Sequence, residues 1–262
     1  MSATAAPVPV ARIAHRDPAT LSLAGVSKSF ASGGRTVRAL VDVDVRVRAG
    51  EFVSVVGASG CGKSTLLSIV AGLQAPTTGS VQAAGRVALM FQDATLLPWL
   101  TARANVELAL KLRGVARRER AARARELLEV VRLDSAGELR PHELSGGMRQ
   151  RVALARCLAQ DASLVLMDEP LAALDAMTRD HLHDEIERVA REQRLTVLLV
   201  THNMREAVRL ADRVILMSEG NIVHEQLVDL PRPRHMDSAE IATRAADLTG
   251  RLRAASLGRS PA

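Results

Sequence analysis

Short apolar runs and alternating stretches, separated by glycine turns and by charged segments of helical spacing, set the order of elements along this chain. From Val37 to Val47 apolar residues fall on every second position (Val37, Ala39, Val41, Val43, Val45, Val47), the pattern of a strand with one buried face in an antiparallel sheet. Residues 51–56 form a compact apolar strand, 57–62 a glycine-rich turn, and 63–71 a helix closed by Gly72. Short strands are expected at 80–81 and 87–91, and residues 101–133 read as helical and charged. A helix over 147–159, a buried strand at 164–167 and a long helix over 176–191 follow. Then come a buried strand at 196–201, a helix over 204–211 and a strand at 213–218 that turns at Gly220. Strands alternating with helices predict a parallel sheet covered on both faces. Residues 1–20 read as a mobile Ala/Pro-rich tail. Residues 231–262 read as a Pro/Arg-rich turn, a short amphipathic helix over 238–248 and a polar tail. There is no internal repeat.

Composition narrows the core and the setting. The chain has 262 residues, 47% hydrophobic and only 2% aromatic, so the core is built from Val, Leu, Ile and Ala. The formal charge of +6 suits nucleic acid, an anionic membrane face or an acidic nucleotide, and does not choose among them. Two cysteines, Cys61 and Cys157, make no disulfide framework and fit a reducing compartment. No stretch approaches the ~18 consecutive apolar residues of a membrane helix. A membrane role is therefore expected to come through a partner.

Three motifs carry candidate chemistry. Gly57, Ala58, Ser59, Gly60, Cys61, Gly62, Lys63, Ser64 and Thr65 fit the spacing G-x-x-x-x-G-K-[ST] between a strand and a helix. Such a loop points backbone N–H groups at phosphates, reaches them with its lysine and offers a hydroxyl to Mg²⁺. Cys61 reads as a tolerated loop residue; the alternative is that the loop's amide dipoles lower its pKa, so that it is alkylated in the empty protein and shielded by ATP. Next, an apolar strand runs into Asp168 and Glu169. At the carboxyl end of a parallel strand, one carboxylate would support Mg²⁺ and the other accept a proton from attacking water. The same pair would also serve to cap a following helix. Third, Ser145, Gly146 and Gly147 set a hydroxyl and bare N–H groups at a helix start, a second anion site.

The order of these motifs resembles the ATP-binding subunits of ABC transporters over residues 21–235. The resemblance rests on the phosphate loop, Phe91-Gln92, the LSGGMRQR segment at 144–151, Asp168-Glu169, Asp175 and Thr201-His202. It implies a P-loop α/β fold with a mainly parallel core sheet, an antiparallel β subdomain, and a helical subdomain inserted at about 95–160, with a C-terminal helix and tail from 236. It implies ATP and Mg²⁺, with Ser64, Gln92 and Asp168 around the metal. Glu169 would be the catalytic carboxylate, His202 the γ-phosphate ligand that orients it, and Gln92 the sensor of metal and water. Ser145, Gly146 and Gly147 would bind the nucleotide of a second copy, so a homodimer is implied, with Asp175 at its interface. Phe30 would stack on adenine. The remaining histidines (His15, His142, His181, His183, His224, His235) read as surface residues in polar contexts.

The segment from Leu96 to Thr101, with residues 173–179 and 230–234, resembles the nitrate/sulfonate/taurine importer group. Asp93, Leu171 and Asn203 depart from that group's usual Glu, Phe and Asp. The implied role is to energise uptake of an aliphatic sulfonate, taurine or nitrate through a separate permease. The permease would be contacted near Gln92–Thr101 at the cytoplasmic membrane face, with an extracytoplasmic solute-binding protein acting indirectly. The alternative is a soluble ATPase of the same fold acting on nucleic acid, favoured by the basic residues between 111 and 125. Interleaved Glu119, Glu126 and Glu129 read instead as a solvated amphipathic helix, and no nucleic-acid partner is expected.

Overall fold

A computed structural model describes residues 19–32, 35–172 and 174–257. The N-terminal tail, apart from residues 19 and 20, lies outside them, as do the last five residues and His15.

Two sheets form the frame. A three-stranded antiparallel sheet has the order β2-β1-β4, from β1 (Ala19–Ser32), β2 (Arg35–Arg48) and β4 (Thr78–Ala83). A six-stranded sheet is made of β3 (Phe52–Gly57), β5 (Val87–Met90), β6 (Leu164–Asp168), β7 (Val197–Thr201), β8 (Arg213–Ser218) and β9 (Asn221–Leu227). Its order is β5-β6-β7-β3-β8-β9, parallel except for the antiparallel edge strand β9.

The parallel strands read as unbroken apolar runs because both their faces are covered. Their side chains alternate between two cores. Phe52, Val165, Val197 and Val214 face one, while Val53, Leu166, Leu198 and Ile215 face the other. The first core takes α2 (Ala102–Leu112), α3 (Arg117–Val130), α4 (Gly146–Leu158), α5 (Ala176–Glu192), α6 (Met204–Leu210) and α7 (Ala239–Leu257). The second is filled by α1 (Lys63–Val70) through Leu66, Leu67, Ile69 and Val70, under the antiparallel sheet. Each fully buried Leu, Ile or Val contributes ~1.5–3 kcal/mol of transfer free energy. Loss of packing there would displace the strand ends that carry the candidate site.

Several expectations change. The alternation over 37–47 breaks in the middle of β2: Leu40 is buried, and Val37 is 54% exposed. The pairing with β1 slips between Val26–Val43 and Lys28–Leu40, and Asp42 takes a left-handed φ of 49°. A bulge of this kind inserts one residue and shifts the phase of every side chain beyond it. The charged stretch over 101–133 is two helices, with the break between Leu112 and Arg117 containing Gly114, whose φ is 92°. Strand β9 follows the turn at Gly220, and the C-terminal helix runs to Leu257 rather than ending at 248. Residues 230–234 are a clasp. Buried Arg234 donates to the carbonyls of Val208 (2.9 Å), Ala211 (2.6 Å) and Val228 (2.9 Å), closing the end of α6. Arg232 binds Glu187 and Asp212. Burial, then the charge of Arg232, lowers the Arg234 pKa to about 10.

Candidate active site

Strand β3 delivers the phosphate loop, and at Gly57 and Gly62 nothing larger than glycine fits. A Cβ on Gly57 would lie 2.4 Å from the Met217 carbonyl, and one on Gly62 (φ 107°) 2.3 Å from the Ala39 carbonyl. Backbone bonds hold the loop from outside: the Gly220 N–H donates to the Cys61 carbonyl (3.0 Å) and the Val41 N–H to the Gly220 carbonyl (2.9 Å). No side chain caps α1, whose first N–H groups face the loop. Lys63 is only 5% exposed, and its Nζ donates to the carbonyls of Gly57 (2.9 Å) and Ala58 (3.0 Å). Ala58, Ser59, Gly60 and Ser64 are exposed and Thr65 is half-buried.

The structure decides against a reactive Cys61. Its side chain points into the second core, 6% exposed, and burial pushes the thiol up despite the nearby Lys63 charge. A buried neutral thiol is not an alkylation site.

The two carboxylates leave β6 in different directions. Asp168 faces the Ser64 hydroxyl across the loop. Burial raises its pKa and Glu169 adds to the rise, while Ser64 and Lys63 oppose it. Glu169 has a left-handed φ of 44°, and its N–H donates to the Val200 carbonyl on neighbouring β7 (2.9 Å). That conformation is strained for a residue with a side chain. It brings Glu169 Oε2 to 2.9 Å from Nδ1 of His202, the first residue beyond β7. Lys63, Ser64, Asp168, Glu169 and His202 thus gather at the carboxyl ends of β3, β6 and β7, where ligands bind in open α/β sheets. The hydroxyl and carboxylate are hard oxygen donors of the kind Mg²⁺ takes, and the desolvated Asp168 carboxylate suits a cation beside it.

The remaining expected residues make their contacts outside this cluster. Ser145 caps α4, accepting the Met148 N–H (3.2 Å). A Cβ on Gly147 would meet Thr178 Cγ2 at 2.5 Å, and one on Gly146 would meet Leu174 at 3.1 Å. Those glycines seat the start of α4 on the start of α5, and no atom of the phosphate loop lies within 4 Å of either position. Asp175 is exposed and caps α5 by accepting the Thr178 N–H (3.0 Å), which holds its carboxyl below the usual carboxylate range. Gln92 has an exposed side chain, and its carbonyl accepts from Gln150 Nε2 on α4 (2.6 Å). Phe30 lies partly exposed on β1 with the Lys28 ammonium 5.1 Å from its ring centre.

Residues 40–172 match the family model for ABC transporters. The chain belongs to the ABC transporter ATP-binding family. It is 48% identical over 244 residues to the aliphatic sulfonates import ATP-binding protein SsuB of Burkholderia ambifaria, covering 90% of this chain and 73% of that protein. It is 46% identical to the SsuB of Rhodopseudomonas palustris, covering 85% of this chain and 79% of that one. Among solved structures it resembles the ATP-binding cassette MJ0796 in a dimeric, post-hydrolysis state with ADP and phosphate. That match has a TM-score of 0.71 and 33% identity over 80% of this chain and 100% of that one.

Within this ABC transporter subunit, sequence reasoning missed a buried polar cluster behind His202. His183, read as a surface residue, is fully buried between Glu206 and Arg209. Its signal was faint: Asn203 and Glu206 have capping-box spacing, but their partner His183 is distant in sequence. Asn203 does cap α6, accepting the N–H groups of Arg205 (3.0 Å) and Glu206 (3.2 Å). The loop from Gln92 to Thr101 is largely exposed, with Trp99 at 68%. Beside it a cavity of about 430 Å³ is lined by Leu97, Asn105, Leu108, Leu112 and Arg156. A second cavity, of about 590 Å³, opens at the other end of the sheet past Gly50, Ser163 and Thr196. No helix among the described residues is long and apolar enough to cross a membrane.

Proposed function

We propose that this chain is the ATP-hydrolysing subunit of an importer for aliphatic sulfonates, working as a homodimer at the cytoplasmic face of the membrane beneath a separate permease. One observation carries the hydrolytic part: Glu169 and His202 meet at 2.9 Å beside Lys63, Ser64 and Asp168. The sulfonate part rests on the likeness to the SsuB proteins of Burkholderia ambifaria and Rhodopseudomonas palustris.

Residues 57–65 hold the phosphates through backbone N–H groups and Lys63, which exchanges its two loop carbonyls for phosphate oxygens. Phe30 offers its ring to the adenine. Ser64, Asp168 and Gln92 would hold a magnesium ion. When bound, that ion neutralises charge on the phosphate oxygens. Glu169 positions a water and takes its proton. The water oxygen bonds to the γ-phosphorus, the bond to the bridging oxygen breaks, and ADP and inorganic phosphate result. His202 orients Glu169 and donates to the γ-phosphate. Ser145, Gly146 and Gly147 complete the site of the second copy, with Asp175 at the interface. The dimeric state of MJ0796 supports that arrangement.

The loop from Gln92 to Thr101, with the adjoining cavity, is where the permease docks. A solute-binding protein outside the membrane delivers the solute. The antiparallel sheet, the parallel core and the helices between β5 and β6 act as three units, with α7 as a C-terminal addition. Two measurements test this reading. Purified protein should release phosphate from ATP, and Lys63→Ala should abolish release. Deleting the gene should remove growth on an alkanesulfonate as sole sulfur source while growth on sulfate persists. Unchanged growth on the sulfonate would refute the solute assignment.

A further inference from the structure

The polar cluster behind His202 is buried and connected. Thr201, Glu206, Arg209 and His183 are each under 5% exposed. Thr201 Oγ1 donates to Glu206 Oε2 and accepts the Asn203 N–H (3.0 Å). Asn203 in turn caps the first turn of α6. The residues on both sides of His202 are therefore fastened to that turn. Glu206 Oε1 then meets Nε2 of His183, on α5, at 3.3 Å.

Both ring nitrogens of His183 have polar partners. Its Nδ1 faces Arg209 Nη1 at 3.4 Å and Asp180 Oδ1 at 3.6 Å. Its Nε2 lies against the Glu206 carboxylate. Arg209 is itself held by Asp180 (3.4 Å) and Asp184. The imidazole offers a polar atom to each side, and an apolar side chain would leave two buried polar groups facing it.

Helix α5 is also fastened at its start. Arg179 donates to the carbonyls of Leu171 (3.3 Å) and Leu174 (2.6 Å), in the segment that follows Glu169. One helix therefore grips the Glu169 side near its first turn and the His202 side at His183. We infer that His183 is a positioning residue for ATP hydrolysis: through Glu206 and Thr201 it holds His202 against Glu169, and it ties that contact to the helix beginning at Asp175. This inference rests on the ATPase reading above.

The test uses the full chain and measures kcat, KM for ATP and nucleotide-binding stoichiometry. His183→Leu should lower kcat about tenfold or more with KM within about twofold, since small displacements of a reacting pair cost rate rather than binding. His183→Gln, which keeps a donor and an acceptor, should restore kcat to within about threefold of the parent. Thr201→Val keeps the shape, removes only the hydroxyl and should match His183→Leu, so the inference stands or falls even where the histidine variant folds poorly. A Thr201→Val or His183→Leu protein that binds ATP fully and turns over at the parental rate overturns it. So does a loss that follows folded fraction alone and is not relieved by glutamine. Glu169→Gln separates the two readings. If Glu169→Gln hydrolyses ATP like the parent, Glu169 is not the catalytic carboxylate, and that assignment fails and takes this inference with it. If Glu169→Gln is inactive and the cluster variants are not impaired, the inference alone fails.

Discussion

Glu169 and His202 are the first residues beyond two neighbouring parallel strands, and their side chains meet at 2.9 Å. The contact needs a left-handed backbone at Glu169, stabilised by its N–H bond to the Val200 carbonyl. Removing the negative charge while keeping the shape should separate binding from chemistry. Glu169→Gln should bind ATP normally, release phosphate roughly 10²-fold more slowly or worse, and accumulate as a dimer in ATP. Phosphate release and size-exclusion chromatography check both halves.

Asp168 should carry a stability cost that its function requires. Burial raises its pKa, so the folded protein binds this proton more tightly than the unfolded chain. Ionisation therefore costs nothing below the unfolded pKa and its full amount above the folded one. Asp168→Asn should raise the Tm of nucleotide-free protein at neutral pH by about 2 °C, and the gain should shrink as pH falls through the raised pKa. Thermal melts of both proteins between pH 4 and 8 decide it. A gain that stays constant across that range contradicts the assignment.

The thiols supply a second check on burial. Cys61 is pushed up by burial, and Cys157 is pushed up to about 12. Iodoacetamide at neutral pH should label neither in folded protein and both in urea. Mass spectrometry of labelled peptides distinguishes the two states.

Gly147 tests the seat of α4 on α5. Gly147→Ala drives a methyl to 2.5 Å from Thr178 Cγ2 and should cost ~1–3 kcal/mol. Adding Thr178→Ser removes the opposing methyl and should recover most of the loss. Urea unfolding of the single and double variants measures the coupling.

Arg234 tests the C-terminal clasp. Arg234→Ala leaves the carbonyls of Val208, Ala211 and Val228 buried without their donor and should cost ~3 kcal/mol or more. Arg234→Lys should recover little, because one ammonium cannot span the carbonyls a planar guanidinium reaches. The same denaturation assay reads both.

How far the chain announces its structure depends on whether a feature is local. The phosphate loop, the acidic pair and His202 were legible because each follows an apolar run, and carboxyl ends of parallel strands share one crevice. The edge strand β9 was not, since its residues are all half-buried or exposed and give no contrast between faces. The phase shift at Asp42 was hidden because the bulge exists only in the pairing with β1. Helix α7 was read short at 248 because its C-terminal half carries charge and buries little. His183 looked like surface because His181 before it and Asp184 and Glu185 after it are charged or polar. Its burial is set by α6, more than twenty positions away.

The bonds running from Val41 to the Gly220 carbonyl, and from the Gly220 N–H to Cys61, have a thermodynamic reach. They fix the back of the phosphate loop to two different sheets before any anion arrives. The loop's conformational entropy is lost when the protein folds, so little remains to be lost at association. Nucleotide capture should therefore proceed with little backbone ordering, its rate set by approach and by the turning of the Lys63 ammonium.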